Sequence, residues 1–392
     1  MNTRAERFPL LDSMRAIAFL CVFVAHAGFF AGFAADGSTL RPFIARLDVG
    51  VRIFFLISAF LLYRPFVAAR LGGEPPPFAR AYAWRRFLRV APPYWVALCV
   101  VAIWFGADGV FNGHPLALFG FAHIYSLSTL SVSGLPQAWS LCVEVSFYIL
   151  LPLYALLLRR FGGGLRTELL AAAGLFGASV AYKLGVFAAG PVTDPSLLPW
   201  RFALPEYLDH FALGMALAAL SVARPDAIAR LLKRPWIAWG VAVLLFVLVA
   251  KGIGLTGGVR DHITEARYLG RHYLYAAIAL LLLLPATTGD PSEGFVRRLL
   301  AWRPLAWIGL VSYGAYLYHF AFLEQLQRWH FRSVADDVSP YLWFPAALAG
   351  ALAIAAVSWY AFERPVLSLK RLVQARPVER GEATLEPAPP AP

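Results

Sequence analysis

An arginine and a histidine eleven residues apart in one apolar stretch are the first residues in this chain whose types and spacing could do chemistry. The stretch LLDSMRAIAFLCVFVAHAGFF carries Arg15 and His26. At 3.6 residues per turn the pair shares one helix face, with roughly 16 Å between them along the axis. Asp12 stands three residues before Arg15 and can pair with it, which lowers the cost of a charge near the end of an apolar helix. An imidazole takes a proton from a hydroxyl near neutral pH, so His26 is a candidate general base. The alternative is a hydrogen-bonded interfacial histidine.

Further polar residues interrupt apolar runs elsewhere, where each is costly and so a functional hypothesis. Arg52 and Ser58 lie in GVRIFFLISAFLLYRPF, and Arg52 sits near the run's outer end, where an arginine can snorkel. PPFARAYAWRRFLRVAPPYW holds Arg85, Arg86 and Arg89. These could bind a phosphorylated ligand through bidentate bonds, or could serve only as topology charge beside anionic lipid. In LPQAWSLCVEVSFYILLP, i,i+4 steps put Ser140, Glu144 and Tyr148 on one face. Glu144 has no partner in its own segment, and pairing with a cation such as Arg15 would satisfy it. Ser312, Tyr316 and His319 share a face in GLVSYGAYLYHF, and Glu363-Arg364-Pro365 closes the last apolar run.

The elements that must position these residues are membrane helices. Of 392 residues, 59% are hydrophobic and only 15% charged, and mean hydropathy is +0.62. A water-facing surface needs nearer a quarter charged residues. Spans of about 20 apolar residues are expected near 10–31, 49–69, 90–107, 138–158, 168–188, 204–221, 236–250, 269–285, 305–325 and 342–362. The apolar connection 108–137 is expected to hold a re-entrant or interfacial piece. The fold class is therefore an all-α integral membrane bundle of about ten transmembrane helices.

The formal charge of +12 does not form a nucleic-acid patch, because the basic residues recur in short clusters in alternate connections. Arg4 and Arg7, the 64–89 and 159–166 clusters, Arg224 to Arg234, Arg297 to Arg303, and Arg364 to Arg380 all fall on one side. About 23 of the 35 Lys and Arg lie there and roughly eight opposite, so both termini are expected in the cytoplasm and the protein in the inner (plasma) membrane. Small residues Ala31, Gly32, Ala34 and Ala35 follow the first run, which is nonetheless read as a retained helix rather than a cleaved signal. Cys21, Cys99 and Cys142 lie in apolar segments without metal-ligand spacing and are read as structural thiols, with no metal and no disulfide expected. The transmembrane domain is expected over 1–370 and a disordered cytoplasmic tail, ending EPAPPAP, over 371–392, with no appended soluble domain.

Taken in order, LDSMRAIA…H, GVRIFFLISAFLL, WRRFLRVAPPYW, WSLCVEVSFY, SYGAYLYH and FERP resemble the acyltransferase 3 family of polytopic membrane enzymes. The pieces run from residue 11 to 365, nearly the whole chain. The resemblance implies transfer of an acyl group, often acetyl, from acyl-CoA to a hydroxyl of a glycan, lipid or small molecule. It implies His26 and Arg15 as catalytic residues, with Asp12 and Glu144 in support. Arg85, Arg86 and Arg89, with Tyr94 beside them, would meet the CoA phosphates. Ser58, Trp139, Ser140, Tyr313 and His319 are the candidate substrate contacts. Ser13, Ala16 and Ala59 stand where the family often has glycine, and Arg52 where it is often acidic.

The reaction expected from these residues starts with acyl-CoA entering from the cytoplasm, its phosphates on the arginine cluster. His26 then acts as base on the acceptor hydroxyl or briefly carries the acyl group, while Arg15 orients the donor or stabilises charge. Glu144 holds a cation or the histidine in position. The rival reading is a transporter or flippase for a lipid-linked glycan or metabolite, which intramembrane charges and Gly/Pro-interrupted helices also fit. No internal repeat supports it.

Overall fold

Runs of Leu, Ala, Phe and Val with few charges leave backbone polar groups no partner in lipid except one another, and this dictates helices. The computed structural model describes residues 8–32, 39–73, 76–104, 106, 109–130, 134–252, 264–288, 290, 292–331 and 338–373. Arg4, Arg7, Ala34, Ala35, Arg376, Arg380 and the terminal EPAPPAP, used above, lie outside them. The described residues are helical, with no strand among them.

Among the described residues, ten helices of 18 or more residues form the frame: α1 (Leu10–Phe30), α2 (Gly50–Leu71), α3 (Ala79–Trp104), α4 (Trp139–Leu158), α5 (Leu165–Ala189), α6 (Leu204–Ala223), α7 (Pro235–Gly252), α8 (Glu265–Thr287), α9 (Arg303–Arg328) and α10 (Pro340–Ser358). Each coincides within a few residues with an apolar run marked in the sequence, apart from α3, which begins eleven residues earlier. Among the described residues, seven helices are long and apolar enough to cross a membrane, or eight if the pair bent by 109° at the end of α6 counts as one span. The protein is thus a multi-pass helical membrane protein.

α1 packs along α9 and α2, α6 along α2 and α5, α7 along α8, and α10 along α9. Several helix crossings are close enough to require glycine, two of them involving α9 and α6. A Cβ on Gly309 of α9 would meet the Asp12 carbonyl oxygen at 1.7 Å, and one on Gly214 of α6 would meet that of Leu56 at 2.6 Å. Where the driving force between helices is packing rather than water exclusion, such small-residue contacts set how near the backbones come. The outer surface of the bundle exposes large apolar side chains, among them Trp104, Leu153, Leu244 and Leu342, as a lipid-facing surface does.

Where the sequence predicts a re-entrant or interfacial piece, short helices (Gly109–Asn112, Pro115–Phe119, Leu127–Leu130) and 3₁₀ turns (His123–Tyr125, Pro136–Ala138) follow one another. Trp95 Nε1 pins this stretch by donating to the Phe119 carbonyl at 2.8 Å. Its last turn inserts Gln137 against α9, where Nε2 donates to the carbonyls of Leu317 (2.8 Å) and Tyr316 (3.2 Å).

Candidate active site

Arg15 and His26 fall in two separate cavities on the same face of α1, so the three-turn spacing becomes a division of the site. The first cavity, about 100 Å³, is lined by Arg15 (α1), Ser58 (α2), Arg86 and Arg89 (α3), Ser140, Glu144 and Tyr148 (α4), and Ser312, Tyr313 and Tyr316 (α9). Three guanidiniums face one carboxylate there. Arg15 Nη1 donates to Asp12 Oδ1 at 2.9 Å. Arg86 Nε is buried without a hydrogen-bond partner, and the Arg89 guanidinium lies 5.5 Å from the Tyr313 ring and 5.6 Å from that of Trp359. An excess of buried cationic donors suits an anionic ligand, and Arg presents its donors in a form that matches phosphate.

Glu144 is held differently from the expected ion pair. Ser58 Oγ donates to its Oε1 at 3.1 Å and Tyr148 OH to its Oε2 at 2.6 Å. Arg15 lines the same cavity but spends its recorded hydrogen bond on Asp12. Tyr148, four residues on in the same helix, corrects the expectation that Glu144 has no partner in its own segment, and Ser58 adds a second hydroxyl from α2. Glu144 is also not what orients His26, since the histidine stands in the other cavity.

That second cavity, about 150 Å³, is lined by Val22, Ala25, His26, Asp48, Val51, Arg52, Gln137, Trp139 and Tyr316. His26 Nδ1 lies 2.9 Å from His319 Nε2, with the rings stacked at 5.2 Å and an interplanar angle of 20°. His319 Nδ1 in turn lies 2.9 Å from the Tyr316 carbonyl and 3.2 Å from that of Ala315. Carbonyls only accept, so His319 Nδ1 carries the hydrogen. In the neutral ring its Nε2 is then an acceptor. His26 Nδ1 must therefore donate, which leaves Nε2 of His26 as the basic nitrogen. A second group that fixes the tautomer of a histidine is how a general base is prepared.

Tyr316 borders both cavities. Its hydroxyl donates to the Gln137 carbonyl at 2.8 Å and accepts from Ser140 Oγ at 2.7 Å. This links α9, α4 and the turn before α4 into a partition between the arginine side and the histidine side.

The sequence-derived residues therefore sort unevenly. Arg15, Arg86, Arg89, Glu144, Ser58, Ser140 and Tyr313 gather in the first cavity, and His26, Trp139 and, behind it, His319 gather around the second. Arg85 is exposed and outside the first cavity, because one residue along a helix turns the side chain by about 100°. Tyr94 is buried and turned away, donating to the Leu118 carbonyl at 3.0 Å and stacking on Phe121, so it belongs to the packing of the 109–130 stretch. The Ser312 hydroxyl is tied to its own helix through the Gly309 carbonyl at 2.8 Å. Arg52 does not snorkel outward but lines the second cavity. Asp48 and Gln137 had no signal of their own: Asp48 precedes its helix, and Gln137 sits in a turn without periodicity. The one available hint was the i,i+4 spacing of Asp48 and Arg52.

A family model described as an acyltransferase domain, that of acyltransferase 3, matches residues 8–361. The peptidoglycan O-acetyltransferase OatA of Listeria monocytogenes is 25% identical over 93% of this chain and 57% of its own length. The putative peptidoglycan O-acetyltransferase YrhL of Bacillus subtilis is 26% identical over 81% of this chain and 49% of its own length. The chain thus spans about half the length of these two relatives. The acyltransferase MdmB of Streptomyces mycarofaciens is 26% identical over 91% of this chain and 88% of its own length. No solved structure matches.

Proposed function

The chain belongs to the acyltransferase 3 family, and from that premise we propose that it is a membrane O-acyltransferase. It would move an acyl group, taken as acetyl, from cytoplasmic acyl-CoA to a hydroxyl of a glycan, glycolipid or secreted small molecule. The observation that carries this reading is the His26–His319 pair, which leaves a basic imidazole nitrogen at a cavity beside the arginine-lined one.

In this reading all ten long helices span the inner membrane within a domain over 1–370, and both termini face the cytoplasm. Alternation of basic connections supports that orientation. It makes the arginine cavity the cytoplasmic one, since Arg86 and Arg89 follow the N-terminal end of α3. Arg86 and Arg89 engage the donor's phosphates, with Arg85 at the approach, and Arg15 holds the donor on the α1 side. The donor's flexible arm carries the thioester past Tyr316 toward His26. There His26 Nε2 takes the acceptor's hydroxyl proton as the oxygen attacks the thioester carbonyl. The C–S bond breaks, and the departing thiolate receives the proton from His26. Acyl transfer through His26 itself uses the same nitrogen as nucleophile. The relatives named for peptidoglycan O-acetylation support a glycan of the cell envelope as acceptor.

The test is acetyl-CoA turnover by the full chain in nanodiscs. CoA release is expected to be slow without acceptor, abolished by His26→Ala and weakened at low donor concentration by Arg86→Ala. A folded protein that neither binds nor turns over any short acyl-CoA would overturn the reading.

A further inference from the structure

The second cavity holds more recognition chemistry than a proton transfer uses. Arg52 Nε and Nη1 are buried and have no hydrogen-bond partner. The guanidinium lies 4.6 Å over the Tyr207 ring and 5.8 Å from that of Trp139, so aromatic surfaces hold its plane while these two donors stay unsatisfied. Asp48 lines the same cavity and attracts Arg52 from beyond ion-pair distance, and each nearby carboxylate also holds partners of its own. Asp48 accepts from the Tyr275 hydroxyl, and Glu206 accepts from Tyr268 at 2.8 Å. Asp209 is held by Lys183, His210 and His272, each at 2.8 Å. Among the described residues no ion pair within 4.0 Å reaches Arg52.

A buried charge with unsatisfied donors is costly and marks a site where a ligand atom can supply the missing acceptor. Guanidinium donors match a carboxylate or phosphate better than a neutral oxygen. On the same wall Gln137 Oε1 also lacks a partner, although its Nε2 is fixed by two carbonyls, so it can accept from a sugar hydroxyl. Asp48 is exposed and gives the cavity a mouth that a bulky acceptor can reach.

We propose that Arg52 recognises an anionic substituent on the acceptor, so that the acceptor class is a hydroxyl compound bearing a carboxylate or phosphate a short distance from the acylated oxygen. This rests on the acyl-transfer reading above and makes Arg52 a specificity-determining residue of the same site. The charge complements the aromatic wall: the ring of a sugar packs on Trp139 while its anionic group meets Arg52.

The experiment uses the full chain in nanodiscs with acetyl-CoA and three acceptors: methyl glucoside, methyl glucuronide and glucose 1-phosphate. Wild type is expected to use at least one anionic acceptor with kcat/KM about tenfold or more above methyl glucoside, since a polar site discriminates strongly against a ligand that leaves it unpaired. The arm that wins, carboxylate or phosphate, assigns the group. Arg52→Gln brings anionic and neutral acceptors to parity, and Arg52→Lys, which keeps the charge, restores part of the preference. Because each variant is read as a ratio between acceptors, partial misfolding does not imitate the result. Parity in the wild type, no stimulation by either anionic acceptor, or a preference that survives Arg52→Gln overturns the inference. Basal CoA release that His26→Ala abolishes would in each of those cases leave the acyl-transfer reading standing, whereas release indifferent to His26→Ala would sink that reading itself.

Discussion

Replacing His319 with alanine takes away the only group hydrogen-bonded to His26 Nδ1 among the described residues, at 2.9 Å, and with it the reason for Nε2 to be the free base. Leaving a buried donor unsatisfied costs roughly 1–3 kcal/mol, or about 5- to 150-fold in rate at 1.36 kcal/mol per factor of ten. Losing the base itself costs more, roughly 10²- to 10⁴-fold for a positioned general base. His319→Ala should therefore lower kcat by about one to two orders of magnitude, less than His26→Ala does. The decisive measurement is the double-mutant cycle, read as single-turnover CoA release with both substrates saturating. If His319 acts only through His26, the double variant is as slow as His26→Ala alone, because groups that act as a unit are non-additive. Multiplication of the two losses, or a His319→Ala enzyme within a few-fold of wild type, would refute the tautomer argument. Thermal unfolding of both single variants in detergent separates a catalytic loss from a collapsed bundle.

Four further outcomes follow from the geometry. Arg86→Ala should weaken acyl-CoA binding about 10- to 100-fold by calorimetry, the value of a charge-assisted contact of roughly 1.5–3 kcal/mol, while kcat at saturating donor changes little; a fall confined to kcat would argue against a phosphate contact. Tyr316→Phe keeps the ring but drops the hydroxyl shared by Ser140 and Gln137, costing about 1 kcal/mol of stability. Tyr316→Ala joins the two cavities and should raise acceptor-independent CoA release, and unchanged release would mean that Tyr316 is not the partition. Gly309→Ala forces a methyl to within 1.7 Å of the Asp12 carbonyl, so α1 and α9 must separate and the melting temperature fall by an amount matching about 1–3 kcal/mol. A variant as stable as wild type would contradict the close crossing.

How much of this was legible beforehand differs by level. Apolar run lengths located the ten long helices because a lipid solvent makes the span a property of each segment by itself. The face shared by Ser140, Glu144 and Tyr148 was legible for the same reason, since helix periodicity acts within one element. The Arg15–His26 offset along α1 was also readable, as both residues lie on one rigid rod.

Contacts between rods were not. Glu144 draws one partner, Tyr148, from its own helix, but the other, Ser58, stands 86 residues away on α2, and the expected Arg15 pair is not made. His319 meets His26 across 293 residues, a distance that no local period encodes. Arg52 looked like a snorkelling charge because its depth follows from where α2 crosses α6 and from Tyr207 and Trp139 closing over it. The sequence by itself determined that the chain is a membrane bundle, which residues are too costly to be idle in it, and which acyltransferase family it resembles. Only the tertiary structure decided which of those residues share a cavity, which nitrogen of His26 is basic and where an unsatisfied cation waits. The physical reason is that burial cost is set residue by residue, whereas the hydrogen bonds that offset it are made between helices.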